Sequence, residues 1–339
     1  MDSLTQIVLG AAVGEVTLGK KIGNKAQLIG AIAGTLPDLD VFVTMSQEND
    51  LAEIIIHRSY SHALFTHFII SFLLAWLTFL IFKKKVEYKS WYWLWFLGLS
   101  THAILDSFTT YGTQLFLPFS DYIVGFNNIS VIDPLYTLPF MGILIYCLCI
   151  KRDNPKRLKW AWRSIYISTG YMLLTFGIKY HIHQTVSTQL KQQGIAYNNL
   201  STSPTILNSV LWSGMASKDS TITFAEYSLF QDNKTINFIS FKRNLQLEKS
   251  FQGYELDKLK WFSQGQYLLE QKDSTTINFY ITKWGRMDMN QTAPTQTFRF
   301  YYELTKTQTG YKVTAIKPSF KEGKMGASFN QLWQRIWHK

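Results

Sequence analysis

The feature that most limits the folds open to this chain is a set of long apolar runs crowded into its first half. Residues 63–82, 91–110, 131–150 and 160–178 each approach the roughly 20 residues that a bilayer-crossing helix needs. Two shorter, Gly-rich runs, 4–18 and 26–36, precede them, and Gly10, Gly14, Gly30 and Gly34 would let their backbones approach closely. Beyond residue 179 no such run recurs. The expected fold is therefore a membrane all-α bundle of about six helices, the first two short, over residues 1–179, followed over 180–339 by a soluble, mainly antiparallel β (α+β) domain.

Positive charge sets the expected orientation. Lys20, Lys21 and Lys25 separate the first two runs, Lys83, Lys84, Lys85 and Lys89 the third and fourth, and Lys151, Arg152, Lys156, Arg157, Lys159 and Arg163 the last two. The alternate loops, 44–62 and 111–130, hold Arg58 and no other Lys or Arg. The positive-inside rule then places the basic loops in the cytoplasm, and the alternate loops with the whole second half outside. Met1-Asp2-Ser3 lacks the positive start of a secretory signal, so the first run is expected to be retained.

This orientation gathers ionisable residues on one side. His102 and Asp106 lie i, i+4 in the outer half of the fourth run, so a helix presents them on one face. Charge at membrane depth is costly enough to imply function or a partner. Asp38 and Asp40 follow Pro37 at the outer end of the second run, where the proline is expected to break the helix. His57, Arg58, Ser61 and His62 immediately precede the third run. Histidine with aspartate is the donor set of zinc or a similar divalent ion, and Asp38, Asp40, His57, His62, His102 and Asp106 exceed the four ligands of one tetrahedral site. One or two ions are expected, with Asp40 or Asp106 as general base and Arg58 as a phosphate-binding fork or the partner of Asp38 or Asp50. His67 reads as a packing histidine, His181 and His183 as solvated at the interface, Asp133 as a helix cap, and Trp91, Trp93 and Trp95 as an interfacial belt.

Thr35-Leu36-Pro37-Asp38-Leu39-Asp40, His57-Arg58-Ser59-Tyr60-Ser61-His62 and His102-x3-Asp106 with Tyr111-Gly112-Thr113 resemble the YdjM-like bacterial inner-membrane family, described as membrane-bound metal-dependent hydrolases. The resemblance covers roughly residues 1–150 and implies a multi-pass inner-membrane protein with a divalent-metal site made by these residues. Some relatives carry His where this chain has Gln6, which is therefore left out of the ligand set; Asp2 is a further possible ligand. The resemblance does not carry a substrate; the donor fork of Arg58 beside a metal-activated water points to hydrolysis of a phosphoester or similar bond in a lipid or membrane-associated substrate. The alternative is a non-catalytic protein that binds or moves metal ions or protons, for which Glu15 is nearly the only acidic residue in the inner halves of the runs.

The formal net charge of +11 falls mostly after residue 179, where 19 Lys+Arg face 11 Asp+Glu. Those basic residues are scattered rather than clustered with aromatic platforms, which argues against nucleic acid and for weak attraction to membrane lipids. Period-two patterning predicts strands at 221–230, 235–243, 275–284, 297–304 and 311–316, with no cluster of catalytic residue types among them. Residues 329–339 form an amphipathic helix expected to pack on its own domain or lie on the membrane. Cys147 and Cys149, two apart, would point to different sides of a helix and cannot bridge easily.

Overall fold

In the computed structural model, residues 1–45, 47–231, 235–285, 298, 300–316 and 324–337 are described. The chain divides into two units, the first comprising Met1–Ser46, Ile56–Phe176 and Ile206–Asn208, the second Gln47–Ile55, Gly177–Thr205 and Ser209–Lys339.

In the first unit, α1 (Ser3–Ile22) starts where the Asp2 carboxylate accepts from Thr5 N at 3.0 Å. It is 20 residues long rather than short, because Lys20 and Lys21 continue the last turn and suit its negative end. After Gly23 (φ +64°), α2 (Asn24–Thr35) returns along it. The approach is as close as the glycines suggest: a Cβ on Gly10 would collide with the carbonyl of Gly30, and one on Gly14 with that of Ala26. As expected, α2 ends just ahead of Pro37. The proline opens a 3₁₀ turn, Leu36–Asp40, where a missing N–H is tolerated, and the chain continues into α3 (Val41–Thr44).

A short α4 (Leu51–Ile56) and a 3₁₀ turn, Tyr60–His62, lead to α5 (Leu64–Ile81) and α6 (Tyr88–Ser107). Asp133 caps α7 (Pro134–Cys149), accepting from Leu135 N at 3.0 Å. The last run extends well beyond 160–178 into the 38-residue α8 (Pro155–Gln192), since no proline interrupts it and the chain turns only at Gly194 (φ +69°).

One helix of the first unit, α5, is inverted relative to a helix on a water-soluble core. α5 buries His67, Ser71, Ala75 and Thr78 while exposing Phe65, Phe68, Ile69, Phe72, Leu73 and Trp76. Residues 24–44 and 64–81 are long and apolar enough to cross a membrane; α7 is apolar but has 16 residues. The aromatic belt is corrected: Trp91 and Trp95 are buried among α1, α2 and α5, and only Trp93 of the three is exposed. Trp95 is held there by donating to Thr78 Oγ1 at 3.3 Å.

The second unit holds two four-stranded antiparallel sheets, each with strands in chain order. One contains β1 (Asn199–Pro204), β2 (Leu211–Lys218), β3 (Thr221–Ser228) and β4 (Ile239–Lys242); the other β5 (Tyr267–Gln271), β6 (Thr276–Ile281), β7 (Tyr301–Lys306) and β8 (Tyr311–Ile316). Between the sheets in sequence lie α9 (Leu245–Ser250) and α10 (Tyr254–Phe262). One face of the first sheet packs Trp212, Ala216 and Ala225 on Ile182, Val186 and Leu190 of α8; the other packs Met215, Phe224 and Phe241 on Leu268 and Tyr280. The C-terminal α11 (Lys324–Trp337) docks on its own unit, where Arg335 pairs with Glu226 and Trp337 stacks on Phe230 at 4.7 Å. Expected strand 235–243 shrinks to β4, and 297–304 begins at Tyr301, residues 297 and 299 lying outside the described residues.

Candidate metal centre

Three pieces of backbone deliver the site. The 3₁₀ turn after α2 carries Asp38, the turn before α5 carries His62, and the last two turns of α6 carry His102 and Asp106. His62, His102 and Asp106 are fully buried, and the Asp38 side chain is 21% exposed, so any approach to the cluster passes Asp38.

One ligand-type atom from each residue faces the others. The Nε2 atoms of His62 and His102 are 3.1 Å apart, and Asp38 Oδ1 lies 3.4 Å from both. Asp106 Oδ2 is 3.3 Å from His62 Nε2 and 3.6 Å from His102 Nε2. Donors about 2.0–2.1 Å from a tetrahedral zinc ion stand about 3.3 Å from one another, the spacing seen here. Asp38 Oδ1 and Asp106 Oδ2 are both buried without a hydrogen-bond partner. A buried carboxylate oxygen with no donor is costly, and a cation between these four atoms would satisfy both at once.

The surroundings aim the donors inward. His102 Nδ1 donates to the carbonyl of Gly34 at 2.6 Å, which leaves the Nε2 lone pair for the cluster. His62 Nδ1 meets Ser61 Oγ at 2.9 Å, and Ser61 in turn donates to Asp40 Oδ2 at 2.5 Å. His67, as a packing histidine, donates from Nε2 to the Ser61 carbonyl at 2.8 Å and so fixes that turn. Asp106 Oδ1 accepts from Gln6 Nε2 at 2.8 Å and from the Met1 amino group. Burial disfavours the charged His62 ring, but the Asp106 and Asp38 carboxylates outweigh it and raise its pKa above the ordinary value.

Asp40 and His57, expected as ligands, stand beside the cluster of four and pair with each other, His57 Nδ1 lying 2.7 Å from Asp40 Oδ1. Asp40 Oδ2 also accepts from Arg58 N at 3.0 Å. Among the described residues Asp38, His62, His102 and Asp106 form the single group of donors that could hold an ion. Arg58 is buried with φ +61°, a strained conformation for a residue with a side chain. Its Nε is 3.0 Å from Asp106 Oδ2 but not aligned to donate, its Nη1 donates to Thr109 Oγ1 at 3.2 Å, and its guanidinium lies over the Tyr111 ring. Asp106, not Asp38 or Asp50, is thus its carboxylate neighbour. Asp2 caps α1 and takes no part in the cluster. The supporting roles of Gln6, Ser61 and the Gly34 carbonyl carry no signal in spacing, although Ser61 adjoins His62.

The model of the YdjM inner membrane protein family matches residues 1–184. The uncharacterized protein YfhP of Bacillus subtilis (strain 168) is 29% identical over 203 residues, 56% of this chain and 60% of YfhP, so the chain spans less than two thirds of that relative. No solved structure matches. The matched region is more than half of the chain and contains every residue of the cluster, and the chain belongs to the YdjM inner membrane protein family.

Proposed function

We propose that this protein is a multi-pass inner-membrane, zinc-dependent hydrolase acting on a phosphoester or similar bond in a lipid or membrane-associated substrate. Six apolar helices cross or enter the bilayer, the basic loops face the cytoplasm, and the cluster and the β-rich unit face outward. The apolar outer face of α5 supports the embedding, as does the family.

The observation that carries the metal reading is the convergence of two orphaned carboxylate oxygens with two imidazole nitrogens held in the metal-binding tautomer. Two nitrogens and two oxygens at tetrahedral spacing suit zinc. When bound, such an ion would supply Lewis acidity and, where Asp38 yields its place or the coordination expands to five, would lower the pKa of a coordinated water to roughly 7. Asp38, the exposed donor, borders the position where substrate enters. Asp106 is committed to holding the ion, and Asp40 already accepts from His57, Ser61 and Arg58 N. Asp40 therefore acts through His57: it holds the Nδ1 proton and leaves Nε2 as the base. Arg58, fixed between Asp106 and Tyr111, offers a cationic fork to a phosphate oxygen.

Transport through the same residues is disfavoured by Glu15. Its carboxylate is bound by both Arg157 Nε and Nη2 at 2.6 Å and does not extend a polar path.

Metal analysis of detergent-purified protein tests the centre: about one zinc per chain is expected, and none in Asp38→Asn. Phosphate release from a phospholipid monoester in mixed micelles tests the chemistry. It is expected to stop with chelator, return with zinc, and disappear in His57→Ala with the metal retained. Metal-free wild-type protein overturns the centre, and metal without chelator-sensitive turnover overturns the hydrolase.

A further inference from the structure

The first unit also has a concave site that takes no residue from the cluster. A cleft of ≈ 540 Å³ between the end of α1 and the start of α8 is lined by Lys20, Lys159 and Arg163, with Trp162 and Tyr166 along one wall. Its other charges are already matched: Arg157 is taken by Glu15, and Arg152 faces Asp153 at 3.6 Å. Lys20, Lys159 and Arg163 meet no carboxylate among the described residues; Arg163 lies over the Trp160 ring at 4.6 Å. The first turn of α8 holds no acidic residue, so this charge pattern opposes the helix dipole and adds nothing to helix stability. The aromatic wall is equally unexplained by packing. Trp162 and Tyr166 are 43% and 66% exposed, with rings nearly parallel at 5.9 Å.

We propose that this cleft binds an anionic phospholipid, its phosphate among Lys20, Lys159 and Arg163 and its glycerol and upper acyl region against Trp162 and Tyr166. Basic pockets at the cytoplasmic ends of membrane helices bind such headgroups, and aromatic side chains settle at the same depth. A free phosphate would use the cations and leave the wall without purpose. The proposal rests on the membrane embedding inferred above.

Native mass spectrometry of the detergent-purified full chain, titrated with phosphatidylglycerol, phosphatidylcholine or inorganic phosphate, tests it. Phosphatidylglycerol is expected to be retained in preference to the other two. The Lys159→Gln/Arg163→Gln double variant should bind it about 30-fold more weakly, the factor that two basic side chains supply near an anionic surface. Trp162→Ala should weaken phosphatidylglycerol alone, and it keeps the test open if the double variant does not fold. Equal retention of phosphatidylcholine, phosphate binding as tight as the lipid, or variants that bind like wild type would overturn the site. Carbonate extraction of membranes reads the embedding separately.

Discussion

The first unit buries charge in two places and completes them differently. Glu15 and Arg157 are 2% and 3% exposed, and their polar atoms are all partnered. Arg157 grips both carboxylate oxygens, its Nη1 reaches Asn24 Oδ1 at 2.7 Å and the Ile150 carbonyl at 3.0 Å, and Gln27 donates to Glu15 Oε2 at 2.9 Å. In the His–Asp cluster, by contrast, two carboxylate oxygens face two imidazole nitrogens with nothing donated to them. The first arrangement is a closed clamp that ties α1 and α2 to the start of α8. The second leaves two acceptor oxygens open to a cation, so similar burial ends in a sealed pair at one place and an open one at the other.

The sharpest way to break this contrast is to remove one half of the clamp. Arg157→Ala leaves Glu15 buried and unpaired and should cost about 3–5 kcal/mol, with or without metal, in thermal unfolding of the detergent-solubilised protein. Glu15→Leu/Arg157→Leu should recover most of that loss. Asp38→Asn should do the reverse. Zinc affinity, read by chelator competition, should fall by more than the roughly 10- to 100-fold typical of lost supporting groups. Above the raised pKa of His62, where no charge pair is lost, the metal-free protein should not be destabilised, since Asp38 Oδ1 accepts no hydrogen bond. If it is destabilised as much as Arg157→Ala, the two clusters are not different in kind.

The same measurement across pH has a defined sign. His62, with its raised pKa, stabilises the metal-free fold at low pH and loses that contribution as pH rises through the raised value. Zinc replaces the proton, so the shift in melting temperature caused by zinc should grow with pH. The smallest effect is expected of Ser61→Ala, which cuts the link from His62 to Asp40. Zinc affinity should drop by roughly 10- to 100-fold while stability changes by about 1 kcal/mol.

Much of the cluster could be read from the chain because its longest pieces are helical. His102 and Asp106 share a face by spacing alone, and the charge of the loops brings Asp38 and His62 to the same end. What spacing did not encode is the sorting of neighbours. Asp38 and Asp40 lie in a turn of about three residues per revolution, so two positions apart they point to different partners. His57 and His62 flank Arg58, whose left-handed backbone at φ +61° redirects the chain between them. In the second unit, β2 escaped notice because six consecutive residues are buried, covered by α8 on one face and the second sheet on the other. With both faces dry, the alternation that marks a strand disappears.

The glycine crossing of α1 and α2 reaches further than packing. Gly34 supplies the carbonyl that aims His102, and the turn bearing Asp38 begins two residues later, so both depend on how near α2 rides to its neighbour. A Cβ at Gly10 would push against Gly30 and Gly34, displacing two of the four donors without touching either. Contact between bare backbones thus works as the ruler for the centre, and a methyl group added at residue 10 should register in a metal titration.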